Sequence, residues 1–255
     1  MIYYQSGVSS GGDAAILQRC GVQHVLVDQF DVATCYGRFD HVALDSGAFR
    51  AMRRKVDLFL DEYCEAVVDI QKDFDFVVSL DVIGNPAQSM ENWLWLRLNG
   101  LDCIPVWHFD TDQSWLHKYL DLTDGIIGIG GLAGIFRDTE NPARGGILRQ
   151  LHTLCDKHPD RFHIFGLNWV KAINELKDTA HSADSSLWLR GARYGTSVFR
   201  NSRHGTLSQA PSWVLEQWAE KNGKEAHPRD RTGLLRGNAR SIDRYCNKTE
   251  EDTTA

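Results

Sequence analysis

The sequence predicts an α/β fold, a (β/α)8 TIM barrel with a short C-terminal helical extension, and three observations carry that expectation. Eight short apolar runs alternate with helical stretches over the first two hundred residues, the pattern of a parallel sheet with helices between its strands. Several of those runs stop abruptly on residues suited to a site: 42–44 on Asp45-Ser46-Gly47, 76–80 on Asp81, 126–129 on Gly130-Gly131, and Ala183 on Asp184. Strand ends of this kind are where a barrel holds its chemistry. The third observation is length, since 255 residues match the roughly 250 that such a barrel uses.

In chain order, residues 2–6 are β-prone, Ser9-Ser10-Gly11-Gly12-Asp13 forms a turn with a cap candidate, and 14–19 is helical until Gly21. A second strand, 22–27, ends at Asp28. The third is 42–45. Residues 57–71 follow as an amphipathic helix in which Leu58, Phe59, Tyr63, Ala66, Val67 and Ile70 recur at three- and four-residue spacing. Strand four, 76–80, leads through Asn85-Pro86 into a helix that stops at Asn99-Gly100. Residues 103–109 are strand five, 114–120 a short helix, 126–129 strand six, 144–157 a helix, 162–165 strand seven, 168–176 a helix and 180–186 strand eight. Closure of such a sheet removes its edges. Beyond Arg200 the alternation is lost. Residues 212–221 predict one more helix, completing a barrel domain over 1–222, and 223–255 reads as a polar, loosely ordered tail.

Composition excludes several classes. No apolar run approaches the ~20 residues a membrane span needs, and residues 1–5 lack a basic, signal-like segment, so a cytoplasmic protein is expected, in the host cytoplasm if the gene is carried by a phage. The six cysteines (20, 35, 64, 103, 155, 246) include no C-x2-C pair, which predicts neither a disulfide framework nor a zinc ribbon. A net charge of −6 is unlike a protein whose whole surface grips phosphates. Arginine nevertheless outnumbers lysine 19 to 9. It clusters at Arg50/Arg53/Arg54, at Arg190/Arg193/Arg200/Arg203 and between Arg229 and Arg244, as solvated helix faces or as bidentate phosphate contacts.

The strand ends offer Asp45, Asp81, His108, Gly130-Gly131, Gly166 and Asp184, and no lysine, which argues against Schiff-base chemistry. Two carboxylates on one mouth suit reaction at a sugar anomeric carbon, one attacking and one moving a proton. Each element alone has a plainer reading. A strand-end Asp can be a turn or cap residue, Phe49 can belong to the core, His108 can be a satisfied core histidine, and Gly130-Gly131 can be an anion-binding turn.

Taken together, these motifs resemble those of the tRNA-guanine transglycosylase superfamily. Asp45-Ser46-Gly47-Ala48-Phe49 is similar to its Asp-Ser-Gly-Gly-Phe/Tyr motif, Leu80-Asp81 falls at its base-recognition Asp, and Gly130-Gly131-Leu132-Ala133 matches its Gly-Gly-Leu-Ala signature. Phe165-Gly166-Leu167 resembles its Met-Gly-Val segment, and Ala183-Asp184-Ser185 falls at its nucleophile. The resemblance spans residues 1–200. It implies Asp184 as nucleophile on C1′ and Asp45 as general acid/base, with Asp81 recognising the heterocycle, Gly131 and Leu132 lining the base pocket and Phe49 stacking on the base. Ser46, His108, Gly130 and Gly166 complete the implied substrate-binding set. The implied reaction is base exchange, in which guanine leaves a polynucleotide and a 7-deazaguanine takes its place.

Two departures narrow the resemblance. The tRNA-acting members carry a C-x-C-x2-C…His zinc site that this chain lacks, so neither metal nor cofactor is expected. Where the family has a Gln after strand five, this chain has Trp107-His108. A compact, zinc-free form looks most like phage- and plasmid-type relatives that insert a preQ0-like base into DNA as protection from restriction. DNA is thus the expected partner, ahead of tRNA, with no membrane, and with Arg190, Arg193, Arg200 and Arg203 as phosphate contacts. The short chain also leaves room for a homodimer or an accessory protein. A tRNA-directed enzyme, a catalytically silent nucleic-acid-binding subunit and an unrelated phosphate-binding barrel are the rival expectations.

Overall fold

Eight parallel strands follow one another around a barrel in the order β4-β3-β2-β1-β8-β7-β6-β5. They are β1 (Ile2–Ser6), β2 (His24–Asp28), β3 (His41–Asp45), β4 (Phe76–Val77), β5 (Val106–His108), β6 (Ile127–Gly130), β7 (Phe162–Ile164) and β8 (Ser182–Ser185). The computed structural model describes residues 1–138, 140–224 and 230–247. Between β4 and β5 the circle closes through backbone hydrogen bonds just past the strand proper: Ile104 N donates to Val77 O at 2.8 Å and Ser79 N to Ile104 O at 2.9 Å.

The helices between the strands are α1 (Gly11–Arg19), α2 (Val32–Cys35), α3 (Ala48–Arg54), α4 (Leu60–Val67), α5 (Pro86–Leu98), α6 (Gln113–Leu122), α7 (Ala133–Arg137), α8 (Arg144–Lys157) and α9 (Val170–Leu176). After β8 come α10 (Leu187–Arg193), the antiparallel hairpin β9 (Thr196–Asn201) and β10 (Thr206–Pro211), α11 (Ser212–Lys221) and α12 (Arg231–Cys246). Among the described residues no helix is long and apolar enough to cross a membrane.

Strand alternation sorts the apolar side chains into two cores. Tyr4, Leu26, Ala43, Phe76, Val78, Ile104 and Val106 fill the lumen, while Tyr3, Trp93, Ile127, Ile129 and Trp188 pack between strands and helices. This alternation explains the Ile-Gly-Ile-Gly run of β6. Its isoleucines point outward and are fully buried. The intervening Gly128 faces the lumen, where a Cβ would stand 2.5 Å from the Phe165 ring.

Two expectations need correction, and one helix was not anticipated. The helix expected over 57–71 begins only at Leu60 and gives way to a 3-10 turn at Gln71–Asp73, where the Gln71 side chain donates to Val68 O and accepts from Asp102 N. The stretch after Asp45 forms a helix of its own, α3. The largest difference is the tail, because 231–246 is a helix of the outer layer. Asp230 caps it by accepting from Gly233 N at 2.9 Å. Leu234, Leu235, Ala239 and Ile242 form its buried stripe against α10, β9, β1 and α1, and each large apolar side chain so buried is worth about 1.5–3 kcal/mol. Its polar composition hid that stripe. Residues 225–229 and 248–255, the rest of that expected tail, lie outside the described residues.

Polar side chains then pin α12 in register. Asn247 accepts from Tyr3 N at 2.7 Å and donates to Tyr3 O at 2.8 Å, as a neighbouring strand would. Asn238 is 1% exposed; it accepts from Val198 N at 2.7 Å and donates to Thr196 O at 3.0 Å. Replacing Asn238 by Ala strands those buried groups, and a buried unpaired group costs about 1–3 kcal/mol. The Asn238→Ala variant is therefore expected to lose about 2–4 kcal/mol in urea unfolding. A loss within error of zero would mean that α12 is undocked in solution.

Candidate functional site

At the C-terminal ends of the strands the lumen opens into a cavity of about 450 Å³ whose walls include Asp28, Asp45, Asp81, His108 and Asp184. With Asp110, which also lines it, five carboxyl groups share the recess, and carboxylates repel one another strongly where the dielectric is low. Asp28, Asp45, Asp81 and Asp184 are each accommodated differently.

Asp28 is the direct register partner of Asp45 across β2 and β3. Burial raises its pKa, and Arg50 opposes the rise, its Nε lying 2.8 Å from Asp28 Oδ2 while its Nη2 donates to Asp31. Arg50 is thus committed inside the site, unlike the free phosphate contact its sequence cluster suggested. Asp45 has no such cation. Burial, followed by the charges of Asp81, Asp184 and Asp28, pushes its pKa up to about 8, with the Gly47 N–H pulling partly back. Gly47 occupies the left-handed region at φ 77, where a Cβ would stand 2.9 Å from the Phe30 ring.

Asp81 is held from two sides. His108 Nε2 lies 2.7 Å from its Oδ2, and Ser46 Oγ donates to its Oδ1 at 3.3 Å. A carboxylate only accepts, so this contact places the ring proton on Nε2. Asp184 lies within β8, and its Oδ1 accepts the Gly166 N–H at 2.9 Å. Beneath it His163 is fully buried, with Nδ1 2.8 Å from Ser182 Oγ and Nε2 3.6 Å from Asp184 Oδ1. That longer separation is outside hydrogen-bonding range.

Glycines let the backbone come close. Gly131 (φ 79) and Gly166 (φ 65) are left-handed; a Cβ at Gly166 would stand 2.7 Å from the Ala133 Cβ. At Gly130 a Cβ would crowd the His108 ring at 3.2 Å.

The structure therefore brings Asp45, Asp81, His108, Gly130, Gly131, Gly166, Asp184 and Phe49 to one cavity. Phe49 sits at the rim, 53% exposed. Two expected residues stand behind the wall: Ser46 is buried and acts on Asp81, and the Leu132 side chain is wholly in the outer core. None of the four arginines expected to hold phosphates lines the cavity. Arg190 is half-buried and donates to Arg137 O, and Arg193 is exposed in the last turn of α10. Arg200 and Arg203 are exposed on the hairpin, which packs on α9 and α12 in the outer layer. Asp28, Arg50 and Asp110 line the cavity without having been expected there. The register of Asp28 with Asp45, both ending their strands, was the available signal for the first of them.

No known protein family matches the chain by sequence, and no curated protein does. In structure it is similar to a protein of Aquifex aeolicus VF5 (TM-score 0.45, 10% identity, 74% of this chain and 83% of that one). It is also similar to the tryptophan synthase A-subunit of the hyperthermophile Pyrococcus furiosus (TM-score 0.44, 12% identity, 95% and 96%).

The Asp45 carboxyl gives a sign-determined test. Its folded-state pKa of about 8 exceeds the unfolded value, so folding takes up a proton between them and stability falls as pH rises through that window. Asp45→Asn removes the penalty. The stability difference between variant and wild type should grow from pH 4 to pH 8 in the variant's favour, by about 1.4 kcal/mol for every pH unit over which the folded protein keeps this proton and the unfolded chain has lost it. A difference flat with pH, read by urea unfolding, would show that Asp45 ionises normally.

Proposed function

We propose that this cavity is the active site of a pentosyltransferase that exchanges guanine for a 7-deazaguanine in DNA. The observation that carries the proposal is the environment of its two key carboxyl groups. Asp45 retains its proton near neutral pH, while Asp184, on the same cavity, accepts one backbone N–H. A paired acid and nucleophile is what displacement at an anomeric carbon requires. The choice of DNA and of a deazaguanine rests on the resemblance of the strand-end motifs and on the lack of a C-x-C-x2-C…His motif in this sequence.

In the first step an Asp184 oxygen bonds to C1′ as the C1′–N9 bond breaks, and the leaving guanine takes a proton from Asp45. In the second, the incoming base gives its N9 proton to Asp45 and attacks C1′, breaking the ester and returning the Asp184 carboxylate. Asp81 keeps lone pairs free after accepting from His108 and Ser46, and these suit the N1–H and amino group of a guanine edge. Phe49 at the rim offers a stacking face. Extruding the target base costs a few kcal/mol in a duplex and less in a single strand.

Radiolabelled guanine or preQ0 supplied with DNA or tRNA tests the assignment. Incorporation into DNA is expected, lost in Asp184→Ala and falling as pH rises through about 8 as Asp45 loses its proton. Incorporation into tRNA alone would keep the chemistry and overturn the DNA substrate. With neither, in a folded protein, the exchange reading is withdrawn.

A further inference from the structure

We infer that one single strand of nucleic acid crosses the mouth of the barrel, held on two opposite sides of the rim by a basic, apolar platform after β3 and by an arginine pair flanking β7. The inference deepens the reading above and rests on it only for what the cavity holds.

The first side is the connection from β3 to α4, which lies at the mouth because β3 ends there and α4 returns along the outside. Its large apolar side chains are unusually bare: Phe49, Met52, Val56 and Phe59 are each between 50% and 56% exposed. Interleaved with them are Arg53, Arg54 and Lys55, all exposed and none ion-paired to any described carboxylate. Arg50 in the same stretch is consumed by Asp28 and Asp31, which leaves the other three without a carboxylate partner, Arg53 lying 5.8 Å over the Phe49 ring. Aromatic faces alternating with cations, next to a recess that Phe49 itself lines, fit bases that stack while their phosphates are neutralised.

The second side lies across the barrel. In the closed strand order β7 stands four strands from β3 in either direction, and the helices following its neighbours β6 and β8 carry Arg137 and Arg190. Arg190 Nη2 donates to Arg137 O at 3.1 Å, which brings the two guanidinium-bearing segments together. Neither pairs with a described carboxylate, and burial followed by the charge of Arg137 lowers the pKa of Arg190. Arg144, stacked 4.1 Å over Trp169, adds a third positive charge beside them, partly offset by Asp138. The like charges of Arg137 and Arg190, held together without a described carboxylate, call for an anion. α7 begins at Ala133 and Gly134, which line the cavity, so a phosphate held here lies one helical turn from the recess.

A nucleotide inserted in the cavity must have its chain leave on two sides, and these are the two basic sides of the rim. The recess itself, walled by carboxyl groups, repels phosphate. An anionic membrane would also favour bare apolar side chains among cations, but it would not explain a second basic site across a carboxylate-lined recess.

Anisotropy of a labelled, guanine-containing single-stranded oligodeoxynucleotide with the full chain, across a salt series, tests this. Arg53→Ala/Arg54→Ala and Arg137→Ala/Arg190→Ala should each weaken binding roughly tenfold or more and lower the salt slope by about 0.7 for each phosphate no longer neutralised. Phe59→Ala should weaken it with the slope unchanged. Because Arg190 is half-buried, the exposed Arg137→Glu alone serves as the folding-neutral variant of its side. Dependence on only one side, on neither, or tighter binding to phosphatidylserine vesicles than to the oligonucleotide overturns the inference. Two-sided dependence without base exchange would sink the proposed reaction and leave this path standing. Exchange without two-sided dependence does the reverse.

Discussion

Five carboxyl groups share one recess, and their burial together with their mutual repulsion is the constraint on which the rest of the site depends. Unlike charges would relieve it cheaply, yet among the described residues the only arginine or lysine in the cavity wall is Arg50. Asp28 takes that cation, Asp81 takes the ring N–H of His108 with the hydroxyl of Ser46, and Asp184 takes a backbone N–H. Asp45 is left with the one remaining solution, which is to keep its proton. The acid is therefore specified by how its neighbours are neutralised, as much as by its own surroundings.

The glycines belong to the same economy of space. Gly128 yields its lumen position to Phe165, Gly130 yields to His108, and Gly166 lets the β7 and β6 loops touch while aiming its N–H at Asp184. Their lack of a side chain is what brings donors within reach of carboxylates in a barrel lumen otherwise packed with Tyr4, Leu26, Phe76 and Val106. A Cβ at Gly166 would have to displace Ala133, and the strained left-handed φ adds to that cost.

The barrel was legible because its strands are apolar runs ending on polar residues, and that signal is local. Asp45, Asp81 and Asp184 were found by the same signal, and the closed strand order brings them to one mouth. What escaped depends on partners far away in sequence. The apolar stripe of α12 contains only a few large residues among arginines, and it makes sense only against β1 and α10; Tyr3 and Asn247, which fasten it to β1, are 244 residues apart in the chain. The β9–β10 hairpin reads as irregular sequence because Asn174 and Asn238 satisfy its backbone from neighbouring helices. Arg50 looked like its neighbours Arg53 and Arg54 until β2 placed Asp28 opposite it. Leu132 sits beside the Gly130-Gly131 turn in sequence, but the left-handed Gly131 swings it back into the outer core.

Charge in this molecule is sorted radially around the mouth, and the sorting bears on how a net charge of −6 is compatible with the polyanionic substrate proposed above. Carboxyl groups line the recess, where a heterocycle with N–H donors and a sugar carbon turning electrophilic would gain from them. Cations lie outside it, on the two opposed stretches of rim. A strand approaching from either side meets positive charge first, within a screening length of about 8 Å at physiological salt. Under that proposal its phosphates would be kept from the acidic recess by the charges that, together with burial, hold the proton on Asp45, so that only the uncharged base and sugar would have reason to enter.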